Sequence, residues 1–352
     1  MRRSLFLLLV VLHLGIVNIY AQDENGKFCV DGIWYSIKNP AMTDFILEGA
    51  TGKLLHVVSP PNTASSNTYK GDLEIPEEVL YEDTKYPVRI IESGAFENCT
   101  DLTSVSLPNS LYCIGGQAFR NCLSLKSVAI PNDVTFIGPE AFISCANMEE
   151  ITLSDRLEFI GYWCFGNCSK LKVVKLPNSL TTLQGSAFER CIALEEVVIP
   201  DGVKVLEDHT FRYCENIRKI TLSRNLEEIG IENFDCCKKD VAIYSPNPIP
   251  PVYHDIVYTA APQMYPEDPV EPTATLYVPV GSKDAYSQAD YWKEFSHIEE
   301  MSSPTDISTT EMRNVMGSSD VYNLQGVRVS DTSKKGVYIK NGKKHMILSN
   351  SK

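Results

Sequence analysis

The 352-residue sequence lacks an excess of basic residues, a second long apolar run, and any recognisable catalytic or metal-binding motif. Its formal net charge is −13, and −15 once Arg2 and Arg3 leave with an amino-terminal signal segment. That balance is a poor match for nucleic acid or an anionic membrane surface. Beyond the first 21 residues no stretch reaches the 18 apolar residues of a membrane-spanning helix. Glycine and proline stand at 20 each, too few for collagen-like or proline-rich disordered chains. There is no G-x-S-x-G, no phosphate loop, no H-E-x-x-H and no EF-hand loop. His56, His209, His254, His297 and His345 are not spaced as metal ligands. Carboxylate pairs such as Glu149/Glu150 and Glu195/Glu196 could in principle serve glycoside hydrolysis, but read better as solvated strand ends. The sequence therefore reads as non-enzymatic, with no cofactor and no metal implied.

What is present begins with Met1–Ala21. Two arginines precede an apolar run of about fifteen residues, and Ala21 supplies a small residue for cleavage. The run is shorter than the roughly 20 residues of a bilayer span. The expectation is a cleavable secretion signal, with no transmembrane segment in the mature chain.

The dominant feature is a repeat of 23 residues. Phenylalanine stands at 96, 119, 142, 165, 188, 211 and 234, and cysteine at 99, 122, 145, 168, 191, 214 and 237. Around them each unit reads L-x-x-V-x-L-P, a turn, then L-x-x-I-x-x-x-A-F-x-x-C. The first part alternates apolar and polar residues, as a half-buried strand does, and proline ends it. The A-F-x-x-C part spaces its apolar residues three apart, which predicts one turn of helix. No unit can bury its apolar columns alone; stacked units bury each column against its own copies. Period and pattern predict a β-rich leucine-rich-repeat solenoid of seven repeats.

Units such as Leu125–Ala141 running into Phe142-Ile143-Ser144-Cys145 resemble the BspA-like leucine-rich repeat family, typical of secreted and surface proteins of Bacteroidetes. The resemblance covers about Val88–Ile243, with a similar lead-in at Gly71–Phe96 and closing segment at Ala274–Met301. It implies a cell-surface or secreted protein that binds other proteins, with adhesion to host extracellular-matrix proteins such as fibronectin or fibrinogen. The alternatives are a structural envelope component without a host ligand and, last, a hydrolase with an unrecognised site.

The expected organisation is a signal peptide at 1–21, an amino-terminal β cap at 22–87 and the solenoid at 88–243. A carboxy-terminal cap with an irregular insertion (244–301), a polar linker (302–320) and a small β-hairpin module (321–352) follow. Asn341-Gly342 is the hairpin turn of that module. Lys335–Ile347 resembles carboxy-terminal modules of exported Bacteroidetes proteins, some of which are sorting signals; an ordinary β-module is the equal alternative.

The Cys ladder reads as buried core thiols. Copies on adjacent coils point the same way, which leaves Cβ atoms about 4.8 Å apart, too far for relaxed disulfides. Cys29, Cys113, Cys164 and Cys236 stand off the ladder without an assigned role. Thr103, Lys126, Glu149, Lys172, Glu195 and Arg218 alternate in sign from coil to coil, which predicts a charge ladder. Two further columns flank the central apolar residue of each strand and point outward. They hold Ser104 and Ser106, Ser127, Glu150 and Thr152, Val173 and Lys175, Glu196 and Val198, then Lys219 and Thr221. These residues form the candidate protein-binding face, which over the six repeats carries no aromatic cluster. The aromatics gather in the carboxy-terminal cap, at Tyr253, Tyr258, Tyr265, Tyr286, Tyr291 and Trp292, chiefly to close the solenoid end.

Overall fold

The computed structural model describes residues 26–38, 54–61, 69–234, 237, 240–254 and 274–301, together with the strands Ala21–Gln22, Val321–Asn323, Gly336–Lys340 and Lys343–Ile347. The segment read as a secretion signal lies almost wholly outside these residues.

Each 23-residue unit makes one coil with three sides. The L-x-x-V-x-L stretch forms the first side: Leu102–Ser106, Ser127–Ala129, Glu150–Thr152, Glu196–Val198 and Lys219–Thr221 are strands. From Ser127–Ala129 onward they stack in parallel register, each residue opposite its 23-residue equivalent: Val128 faces Ile151, and Val197 faces Ile220, while Leu102–Ser106 pairs with Gly71–Glu74. Val173 continues the ladder through bridges to Glu150 and Glu196. The sheet outlasts the repeat. Lys219–Thr221 pairs with Ala242–Tyr244, then Thr275–Val278, then His297–Glu300, so the strand pairing continues on the far side of the insertion in the sequence.

The L-x-x-I stretch forms a second parallel sheet that sequence periodicity did not announce, because each strand is only two residues long. Cys113–Ile114, Phe136–Ile137, Phe159–Ile160 and Thr182–Leu183 pair in order. Thr84–Ile91 joins this sheet to the amino-terminal strands Phe28–Val30, Ile33–Lys38 and Leu54–Val57.

The A-F-x-x-C stretch makes no helix, contrary to the spacing argument. It is a chain of tight turns, in which Cys122 N–H reaches Phe119 O at 3.2 Å. Two residues per coil, one just before this stretch and one within it, adopt left-handed backbone. One column is Gly94, Gln117, Glu140, Trp163, Ser186, His209 and Glu232; the other is Asn98, Asn121, Ser144, Asn167, Arg190 and Tyr213, all with φ between 51° and 66°. A left-handed residue ends any right-handed helical run. Phenylalanine N–H groups bond the next coil instead: Phe119 to Ala141 O at 2.7 Å, and Phe142 to Cys164 O at 2.8 Å.

The interior is the set of stacked columns. Phe96, Phe119, Phe142, Phe165, Phe188 and Phe211 are fully buried, with successive ring centroids 5.0–5.8 Å apart and planes within 13°. Such a contact adds about 0.5–1.5 kcal/mol to simple burial. Tyr69 closes the stack edge-on against Phe96 at 4.9 Å. At the other end Phe234 meets Tyr291, whose ring stacks on Tyr253. Proline at the strand ends also accepts a turn bond, as from Leu111 N–H to Pro108 O at 3.1 Å. Where proline is missing, the buried Ser154 and Ser223 accept the same turn bond and additionally hold Arg156 N–H and Asn225 N–H with their hydroxyls.

The ten described cysteines are free thiols. Cys164 takes the small-residue place held by Ala118, Ala141 and Ala187 in neighbouring coils, and Cys113 packs with Leu54 and Ile90 in a small outer cluster. The carboxy-terminal strands Gly336–Lys340 and Lys343–Ile347 pair antiparallel across the Asn-Gly step, Lys340 opposite Lys343.

Candidate protein-binding face

Strand alternation sends Val105, Val128, Ile151, Val174, Val197 and Ile220 inward and their neighbours outward. The structure brings the candidate residues together as two columns along the stacked strands. Ser106, Ser127, Glu150, Thr152, Val173, Lys175 and Glu196 are exposed, and Val173 at 61% is the most exposed valine of the sheet. Val198 and Lys219 are half-buried.

Two candidates differ from expectation. Ser104 donates to Asp72 Oδ1 at 2.6 Å, as does Thr103 at 2.9 Å, so it fastens the first coil. These two bonds hold the Asp72 carboxyl below its usual pKa. Thr221 is only 5% exposed, and its hydroxyl has no hydrogen-bond partner. Its Cα partner on the next coil is an aromatic residue, and its buried hydroxyl offers nothing to a ligand.

That neighbour corrects the reading of a face without aromatics. Tyr244 stands opposite Thr221, and Tyr277 opposite Tyr244, in the same outward column. Their rings stack with centroids 4.7 Å apart and planes 12° apart. Lys219 places its ammonium 4.9 Å from the Tyr244 ring centroid, a cation–π contact. Glu299 follows in the column. Partial burial, then the Glu299 carboxylate, raises the Tyr277 phenol pKa. Tyr244 lies one period beyond Thr221, so extending the repeat by one coil would have found it. Tyr277 lies across the insertion, where spacing is lost.

The alternating charge column forms no ion pair within 4 Å between its members. Cross-coil pairs sit in the loops instead: Arg156 with Asp133 at 2.8 Å, Lys204 with Glu227 at 2.7 Å, Arg224 with Asp201 at 3.5 Å. All are exposed and each adds at most about 1 kcal/mol. A charge ladder on the sheet would need long side chains frozen side by side, and these gain more by staying in water.

On the turn side, the Arg190 and Arg212 guanidinium carbons lie 4.6 and 5.0 Å from the Tyr213 ring centroid, and Arg212 pairs with Glu232 at 2.8 Å. His209 also meets Glu232 at 3.3 Å, although burial above all lowers its pKa. The sequence reading missed this cluster because its members lie in different columns of different coils.

The cap aromatics are structural. Tyr286 and Trp292 are fully buried. The Tyr286 hydroxyl meets Ser245 Oγ at 2.7 Å and donates to Asn247 O, while Trp292 Nε1 donates to Pro251 O at 2.7 Å. Tyr258 and Tyr265 lie outside the described residues. Among the described residues no cluster of three His, Cys, Asp or Glu is placed to hold a metal ion, and no helix is long and apolar enough to cross a membrane.

Comparison with known proteins agrees with this geometry. The model of the BspA type leucine rich repeat region matches residues 81–191 and 135–249, in six copies. A leucine rich repeat protein of T. pallidum shares 31% identity over 50% of this chain and 76% of its own, with a TM-score of 0.44. A leucine-rich repeat protein from Bacteroides ovatus shares 22% identity over 78% of this chain and 76% of its own, with a TM-score of 0.50. No curated protein matches. Over residues 81–249, which the family model spans, this chain is a BspA type leucine rich repeat region.

Proposed function

We propose that this is an exported, non-enzymatic binding protein that holds another protein against the strand face, with adhesion to host extracellular-matrix proteins as its role. The observation that carries the reading is the Tyr244–Tyr277 pair at the end of the exposed columns. Two half-buried tyrosines, pre-stacked and beside Lys219, expose contact area with little side-chain entropy left to lose on binding. Tyrosine is among the residues that dominate interface energetics. Val173 and Val198 extend this centre along the sheet, and Lys175, Glu196 and Glu150 form a polar surround. The apolar run at the amino terminus supports export.

The test is surface plasmon resonance against immobilised fibronectin, fibrinogen, collagen and laminin. Saturable binding to one of them, weakened at least about tenfold by joint Tyr244→Ser and Tyr277→Ser substitution with the fold retained by circular dichroism, is the expected result. Binding that survives this pair and the joint change Lys175→Glu, Lys219→Glu would remove the strand face from the reading. No binding to any of the four would remove the matrix role.

A further inference from the structure

The strand-face sheet ends at His297–Glu300, and among the described residues no strand pairs with its far edge. Met301 N–H donates to Val278 O at 2.8 Å. Amide direction alternates along a strand, so His297 and Glu299 also point their N–H groups at Thr275–Val278. The N–H and C=O groups of Ile298 and Glu300 therefore face away from the solenoid, a template for one more strand. Beside this edge a groove of about 370 Å³ runs between the strand and helix Lys283–Gln288. Phe295 and Ile298 line it as apolar floor, 4% and 8% exposed; Lys283, Ser287, Ser296, His297 and Glu299 complete its lining.

We propose that this edge and groove together receive an extended segment of a partner protein, added in the manner of a further strand, with apolar and basic residues in alternation. Main-chain bonds to Ile298 and Glu300 give such a segment its register, and alternate side chains give it specificity. Residues on its inner face reach the Phe295–Ile298 floor. Residues on its outer face stand beside His297 and Glu299, and the one that meets the Glu299 carboxylate is basic. A second copy of the chain fits poorly. The first strand of the stack is Gly71–Glu74, in a separate two-stranded sheet with Leu102–Ser106; it exposes Asp72 and Glu74 and would set acid against acid. The proposal is independent of the Tyr244–Tyr277 reading: that concerns the face of the sheet, this its edge.

The test uses the full chain and a fluorescein-labelled six-residue peptide alternating lysine and valine, followed by anisotropy. A peptide of the same sequence with every valine amide N-methylated, and one alternating glutamate and valine, are the comparators. The expected result is saturable binding of the first peptide, at least about tenfold weaker for either comparator. It includes slowing of hydrogen exchange at the Ile298 and Glu300 amides by about tenfold or more. Glu299→Lys should weaken binding about tenfold; if that variant does not fold, the peptide comparison on the unaltered protein stands alone. Equal binding of the N-methylated peptide would reduce the site to charge attraction and overturn the proposal, as would absence of binding. Slowed exchange of the same amides on concentration-dependent dimerisation, without peptide, would also overturn it in favour of a second copy.

Discussion

Cys145 donates its thiol hydrogen to the carbonyl oxygen of Phe119, 3.2 Å away and one coil earlier in the stack. The same bond recurs from Cys122 to Phe96, Cys168 to Phe142, Cys191 to Phe165, Cys214 to Phe188 and Cys237 to Phe211, at 3.1–3.3 Å. The ladder cysteine is therefore a small hydrophobe with a weak donor, placed where each phenylalanine carbonyl has a second lone pair to fill.

Burial raises the pKa of the ladder thiols, well above the ordinary value near 9 for Cys145, Cys191 and Cys214. The unfolded chain ionises these groups near pH 9 while the folded chain holds their protons. Their contribution to stability is whole below that pH and is lost as pH rises beyond it, by up to about 1.4 kcal/mol per pH unit per thiol. Urea midpoints should be flat from pH 6 to 8 and fall steeply between pH 9 and 10.5. Joint replacement of Cys145→Ala and Cys168→Ala should lower stability at pH 7 yet flatten the alkaline fall.

Gly161 sits where two coils touch. A Cβ there would meet Pro139 N at 2.3 Å and Gly138 C at 2.5 Å, both backbone atoms that cannot swing aside. Gly161→Ala should cost at least about 2 kcal/mol, in line with the upper range for overpacking. A cost under 1 kcal/mol in urea titration would mean that the coil spacing adjusts freely.

Asn167 has φ 59° and Ser144 φ 61° in the same turn column. Asparagine tolerates the left-handed region; alanine and serine do so at a cost of about 1–2 kcal/mol. Asn167→Ala should lower stability by about 1 kcal/mol, and Ser144→Asn should raise it by about 0.5 kcal/mol. Thermal midpoints of the two variants should move in opposite directions.

Trp292→Phe keeps most of the cap's apolar bulk but leaves Pro251 O without the indole donor that now lies 2.7 Å away in the buried cap. The expected loss is about 1–3 kcal/mol. Urea unfolding should show it as a lower midpoint with an unchanged slope.

On the strand face, Lys175→Glu and Glu196→Lys should each change stability by less than about 0.5 kcal/mol, because both side chains are exposed. Thr221→Val should be neutral or stabilise by up to about 1 kcal/mol, since it removes a buried hydroxyl that has no partner. A large loss for Thr221→Val would reveal a bond that this residue makes in solution.

The sequence alone determined the coil. A period of 23 with phenylalanine, cysteine, leucine and valine in fixed columns leaves one economical way to bury apolar surface, which is to stack each column on itself. The inward residues, the short strands of the first side and the buried thiols all follow from that repetition. It could not determine what depends on neighbours of different coil and column. The turn side is irregular because two left-handed residues per coil divert the backbone, and their columns hold Asn, Gly, Ser, Gln, Glu, Trp, Arg, His and Tyr without a common side-chain signal. The second sheet was hidden because two-residue strands carry no periodicity. The candidate face was legible in its columns but not in its energetic centre. Tyr277 stacks on Tyr244 only because the chain regains register beyond the insertion, and Thr221 stands opposite that tyrosine. Such contacts join residues across 33 positions of chain, and only the folded stack, in which separation along the sequence no longer measures distance, brings them together.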